Sequence, residues 1–152
     1  MPDTEISIFR RAVVALNGGP SDERIIRLAV AQAARTKAEL IAVHVVEIDW
    51  TLPLDTDVAS GSEDVQRVLD SAEAIAESHK LSIEPVLLQA RDVAAAIVDE
   101  ATERGADLLV VGLPYRKRFG GEFAIGRTIP YILQNAPCTV WVVREPMSEE
   151  PT

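Results

Sequence analysis

Cysteine is nearly missing from this chain. Cys138 stands alone, which excludes an internal disulfide and any cysteine-based metal cluster. It falls in a predicted buried strand, where a thiol acts as a small hydrophobe. Histidine is scarce as well: His44 and His79 are far apart in sequence, and neither a metal cluster nor a Cys–His nucleophile pair has support. Basic residues are in deficit, with 15 Lys and Arg against 24 Asp and Glu and a net charge of −9. A nucleic-acid duplex or an anionic membrane surface is repelled on average, so no nucleic-acid partner is expected. No apolar stretch approaches the roughly 20 residues that span a bilayer. The acidic opening Met1–Glu5, followed by a short apolar run, does not read as a signal peptide. The expectation is a cytoplasmic protein with no membrane insertion. Internal repeats, linkers and low-complexity segments are missing too.

What is present suits one globular domain. Hydrophobic residues make up 47% and charged residues 26% of 152, enough for a core without staples. Residues 1–10 read as a lead-in, 11–145 as the domain and 146–152 as a polar tail. Ala12–Leu16 is a continuous apolar run of strand length, stopped by Asn17-Gly18-Gly19-Pro20. Continuous apolarity marks a strand covered on both faces. Ser21, with Asp22 and Glu23, reads as a helix cap. The stripe Ile25, Leu28, Ala29, Ala33 follows at helical spacing. Leu40–Val46 is a second strand, and an acidic irregular segment 47–62 leads to a long amphipathic helix from Val65 to His79. Leu81–Leu88 contains Pro85 and suits an edge strand. Asp92 caps a third helix that Gly105 ends. Strand–helix alternation closed by a fifth strand predicts an α/β fold, a doubly wound parallel sheet with helices on both faces.

The stretch Leu108–Val143 carries the functional signal. Strand Leu108–Gly112 runs into a glycine-bearing loop, then Gly126-Arg127-Thr128, a short helix to Gln134 and the strand Cys138–Val143. A buried strand, a flexible loop and a helix N-terminus are how an α/β sheet receives phosphate. Thr128 reads as the helix N-cap, with Pro130 in the first turn.

Asn17, Val43-His44-Val45, Gly105–Gly112, Gly126 and Asn135–Val143 together resemble the universal stress protein family over roughly Arg11–Arg144. The resemblance implies five parallel strands in the order 3-2-1-4-5 and a homodimer through the last strand, Thr139–Arg144. It also implies ATP or another adenine nucleotide at the strand C-termini in one branch, and none in another. This chain departs from the ATP-binding pattern. Asn17 stands for an acidic residue, Tyr115 for the second loop glycine, and Arg127 for a hydroxyl residue, with Thr128 one place later. Thr51–Asp55 and Tyr115–Phe119 resemble, over a shorter span, stress-protein modules attached to amino-acid transporters, which suggests a partner-regulating role.

The resulting site assigns the base and ribose to Val45 and Asn17. Gly112, Gly126, Arg127 and Thr128 face the phosphates, Arg116 and Lys117 act as auxiliary cations, and Tyr115 stacks on the base or blocks the approach. Each has a plainer reading. Asn17 also closes a turn with Gly18 and Gly19, Arg116-Lys117-Arg118 is also a solvated loop tip, and His44 is a satisfied core histidine. Asp49, Asp55 and Asp57 are ordinary loop acids or a cation site. Trp50, Leu52 and Leu54 form a partner patch or, slightly favoured, a lid. Magnesium would accompany ATP, although Asn17 lacks the charge an aspartate offers it. Asn17–Asp22 is also distantly similar to the Ser-Gly-Gly-x-Asp-Ser loop of ATP pyrophosphatases, without its leading serine. No acid–base pair supports an enzyme, with slow ATP hydrolysis left open. The leading expectation is a non-catalytic regulator that binds an adenine nucleotide. The alternative is a nucleotide-free dimeric interaction module.

Overall fold

Strands and helices alternate without exception in the computed structural model, which describes residues 9–53, 55–57, 62–115 and 126–147. The order is β1 (Arg11–Leu16), α1 (Ser21–Thr36), β2 (Glu39–Glu47), α2 (Glu63–Ser78), β3 (Ile83–Ala90), α3 (Val93–Glu103), β4 (Leu108–Leu113), α4 (Thr128–Asn135) and β5 (Thr139–Arg144). The strands form one sheet in the order β3-β2-β1-β4-β5, and every pairing is parallel. The fold class and strand order therefore stand as expected.

Side-chain alternation divides the core in two. Ala12, Val14, Leu40, Ala42, Leu108 and Val110 pack toward α1 and α2, with Ile25, Ala29, Ala72 and Ile75. Val13, Ala15, Ile41, Val43, Leu109 and Val111 pack toward α3 and α4, with Ile97, Ala101, Ile129 and Ile132. Both faces of the central strands are buried, which is why those strands read as unbroken apolar runs. Pro85 sits on β3, at the sheet edge where a missing N–H leaves no ladder bond unmade.

Several local readings need correction. Leu28 is 37% exposed, whereas Ile26 and Val30 are buried, because α1 packs on α2 as well as on the sheet. Ser21 is the first residue of α1, after Pro20 at the cap position. Its hydroxyl donates instead to Glu145 Oε1 at 2.7 Å. Thr128 likewise begins α4, and Arg127 occupies the cap without a side-chain cap bond. Asp92 does cap α3, its Oδ1 accepting from Ala95 N–H at 3.1 Å, and Gly105 follows α3 at φ +64°. Cys138 lies one residue before β5, half-buried against the α3/α4 core; burial pushes its thiol pKa up.

Two contacts pin the start of the sheet. Phe9, within the lead-in, is 2% exposed and meets Trp141 edge-to-face at 5.8 Å. Asp107 accepts the N–H of Arg10 on both oxygens, at 3.0 and 2.9 Å, and that of Arg11 at 2.9 Å. Asp107→Ala would remove the charged acceptor that these exposed donors share. Its expected loss is about 1–3 kcal/mol, read as a lower urea midpoint with unchanged slope; an unchanged midpoint would show that water replaces the carboxylate.

A candidate ligand cleft at the reversal of the sheet

From β1 the chain winds outward to β2 and β3, then returns to the other side of β1 for β4 and β5. The connections above β1 and β4 therefore run in opposite directions. They part at the strand C-termini, where open α/β sheets bind ligands. A cleft of about 480 Å³ lies there, within the usual range for small-molecule pockets. Ala15, Val45, Val93, Ile97, Val111, Leu113 and Ile129 give it apolar walls, and Asn17, Glu47, Arg127 and Thr128 supply its polar groups.

Asn17, Val45, Gly112, Gly126, Arg127 and Thr128 all line this one cleft, although they come from four separate places in the sequence. Tyr115 is not among the lining residues; its ring lies 5.1 Å from the Arg144 guanidinium on β5. Arg116 and Lys117 lie outside the described residues.

Asn17 has the turn-closing role. Its Oδ1 accepts from Gly19 N–H at 2.7 Å, and Gly18 takes φ +81°. The turn is held from below by Asp22, whose carboxylate accepts from Asn17 N–H at 3.1 Å and Gly18 N–H at 2.8 Å. Burial raises the Asp22 pKa, against the opposing pull of those two bonds. The side-chain NH₂ is the remaining donor capacity of Asn17.

The two cleft glycines differ. At Gly112 a Cβ would meet Ser21 Cβ at 2.7 Å and Ile25 Cγ2 at 3.3 Å, so its bareness admits α1. At Gly126 φ is +76°, and among the described residues nothing stands within 4 Å of a Cβ. Its bareness serves the backbone turn that enters α4. The first hydrogen bond of α4 runs from Tyr131 N–H to Arg127 O at 3.3 Å. Thr128 and Ile129 precede it, so their amides stand outside the helix's own ladder, and Pro130 has none to offer.

Glu47 was missed as a cleft residue. It ends β2 two residues beyond Val45, hence on the same face, so period-two alternation extended by one residue finds it. Val93 and Ile97 belong to the α3/α4 core and are also cleft wall. No group of three or more His, Cys, Asp or Glu able to hold a metal occurs among the described residues. Among the described residues Glu47 is the one carboxylate lining the cleft, so those residues do not build a magnesium site. Asp49 is engaged by Thr51 N–H and Oγ1 at 2.8 and 2.9 Å, and these bonds lower its pKa.

Trp50 is 76% exposed and does not fold over the sheet as a lid. Arg91 stacks 5.0 Å from its ring and donates to Leu52 O at 2.6 Å, holding this loop at the end of β3. Leu54 lies outside the described residues. His44 is a buried strand histidine, as expected, with Nδ1 3.1 Å from Leu16 O.

A sequence model described as the universal stress protein family matches residues 8–144. The chain is 29% identical over 136 residues to the sensor protein KdpD of Mycobacterium tuberculosis, covering 90% of this chain and 14% of that protein. It thus spans about one seventh of that relative's length. A universal stress family protein from Burkholderia pseudomallei superimposes with a TM-score of 0.68 at 26% identity, covering 91% of this chain and 98% of that one. The universal stress protein of Archaeoglobus fulgidus in complex with dAMP superimposes with a TM-score of 0.67 at 23% identity, covering 90% and 98%. Similar folds have been solved with cAMP and, from Arabidopsis thaliana, with AMP. Among the described residues no helix is long and apolar enough to cross a membrane.

Proposed function

We propose that this chain, which belongs to the universal stress protein family, binds an adenine nucleotide in the cleft above β1, β2 and β4 and acts as a non-catalytic regulator. The observation that carries the reading is the convergence of Asn17, Val45, Gly112, Gly126, Arg127 and Thr128 on one cleft at the reversal of the sheet. The apolar walls suit a base. Asn17 and Glu47 suit ribose hydroxyls, as donor and acceptor respectively. Arg127 and the amides entering α4 suit a phosphate, the guanidinium through charge-assisted bonds. The dAMP, cAMP and AMP held by proteins of this fold favour a ligand with one phosphate. ATP would draw further on Arg116 and Lys117, with any magnesium carried by the phosphates themselves. Native mass spectrometry of gently purified protein tests this. One adenine nucleotide per chain is expected. An empty protein with no thermal shift from AMP, dAMP, cAMP or ATP overturns the reading.

The second reading, a dimeric interaction module, has its own observation. β5 is an edge strand, and Val142 on it is 37% exposed, a surface that a second copy would cover. Val140 on the same strand face packs partly on the α3/α4 core, so a charge there would also disturb folding. Val142→Glu is the cleaner probe and should yield monomers in sedimentation; a dimer that persists rules out this edge. A transporter or sensor as partner remains part of this second reading.

A further inference from the structure

The face of the sheet opposite the nucleotide cleft carries a second hollow. A groove of about 630 Å³ lies between the β1–α1 turn and α2. Ile26, Val68 and Ile75 give it apolar walls, and its polar groups are mostly acceptors. His44 follows Leu40 and Ala42 in alternation and so faces α1 and α2. Its ring is 8% exposed and borders the groove. Leu16 O, 3.1 Å from Nδ1, can only accept, so in the neutral ring Nδ1 carries the proton and Nε2 keeps a lone pair. Nothing among the described residues satisfies that lone pair: Nδ1 with Leu16 O is the ring's hydrogen bond. Asp22 also borders the groove. Each of its oxygens accepts one backbone N–H, from Asn17 and from Gly18, which leaves each with further accepting capacity. Gly18 brings the two groups to the same end of the groove: its N–H donates to Asp22 at 2.8 Å, and a Cβ on it would stand 3.9 Å from His44 Cε1. Glu23 and Asp64 also line the groove, but Glu23 is paired with Arg27 at 3.1 Å and Asp64 with Arg67 at 3.0 Å, so among the described residues Asp22 is the lining carboxylate that no cation pairs.

We propose that this groove binds a small organic ammonium ion. Its charged head donates to the Asp22 carboxylate and to His44 Nε2, and its apolar body lies on Ile26, Val68 and Ile75. An anion is disfavoured by the charge. A metal ion is disfavoured because no three-ligand cluster exists among the described residues. A donor-bearing cation with an apolar body satisfies both the open lone pairs and the apolar walls. The proposal stands apart from the nucleotide reading, since the two hollows lie on opposite faces and share Asn17 alone.

The test uses the full chain with isotope-labelled histidine, of which there are two, His44 and His79. Titration with 2-phenylethylammonium should move the His44 ring signals saturably, with a Kd on the order of 1 mM, and leave His79 in place. The uncharged analogue 2-phenylethanol should move His44 far less. Asp22→Asn should weaken binding roughly tenfold, the loss of one charge-assisted bond. Asp22 also supports the turn, so a second variant is needed: Ser71→Arg, on the exposed face of α2, places a cation beside the groove and should remove the shift with the melting temperature unchanged. Saturating AMP should leave the shift intact. A static His44, an equal response to the alcohol, a shift that survives Ser71→Arg, or loss of the shift with AMP would each overturn the proposal.

Discussion

Gly112→Val should destabilise the protein by about 3 kcal/mol, the upper part of the range for overpacking a closely fitted interior. For a domain of this size each kcal/mol moves the melting temperature by about 2–4 °C, so a fall of about 6–12 °C is expected by calorimetry, without ligand. The reason is local. A Cβ at Gly112 would stand 2.7 Å from Ser21 Cβ and 3.3 Å from Ile25 Cγ2, and neither is the far end of a flexible side chain. Relief requires α1 to move off β4. That movement would strain the Ser21–Glu145 hydrogen bond and shift Asp22, which holds the Asn17–Gly18 turn. Weaker nucleotide binding would follow as a secondary effect. A variant with wild-type melting and lost AMP affinity would reverse this order and make Gly112 a ligand-approach glycine first.

That distinction shows where sequence reasoning reached its end. The glycine after the fourth strand was legible as important, because a buried apolar run ended on it before a loop. Which neighbour demanded it was not legible: Ser21 lies 91 positions away, and its contact with Gly112 depends on how α1 settles on the sheet. The fold was legible for a physical reason. A parallel sheet buried on both faces writes unbroken apolar runs, and helices packed on it write period-3.6 stripes. The misreadings sit where a side chain had a more distant use. Ser21 looked like a cap but spends its hydroxyl on Glu145. Leu28 fitted the stripe, but α1 meets α2 as well as the sheet, which turns the buried face toward Ile26 and Val30. Phe9 lay outside any periodic element, and only its contact with Trp141 reveals it as core. The cleft residues were legible through the family resemblance. Glu47, on no motif, needed the strand's true length.

Gly126→Val should behave in the opposite way to Gly112→Val, losing ligand affinity while keeping most of its stability. At φ +76° a β-branched residue is strongly disfavoured, and the left-handed conformation costs about 1–2 kcal/mol even for less crowded side chains. No described atom within 4 Å opposes the new Cβ, so the turn can relieve that strain by rotating toward negative φ. The melting temperature then falls by only a few degrees. Rotation re-aims the peptide that leads into Arg127 and Thr128, the two residues placed at the cleft where α4 begins. If the phosphate is held there, about two hydrogen bonds to a charged group are lost. At roughly 1.5 kcal/mol for each, that is about 3 kcal/mol, or on the order of a 100-fold weaker Kd for AMP by titration calorimetry. Gly126→Ala should fall between, since alanine enters the left-handed region with less strain than valine. Unchanged AMP affinity in Gly126→Val would remove the phosphate from the entrance of α4. A collapse in stability equal to that of Gly112→Val would instead show that Gly126 has a packing role. The pair therefore separates the glycine that lets the sheet and α1 meet from the glycine proposed to shape the ligand's seat.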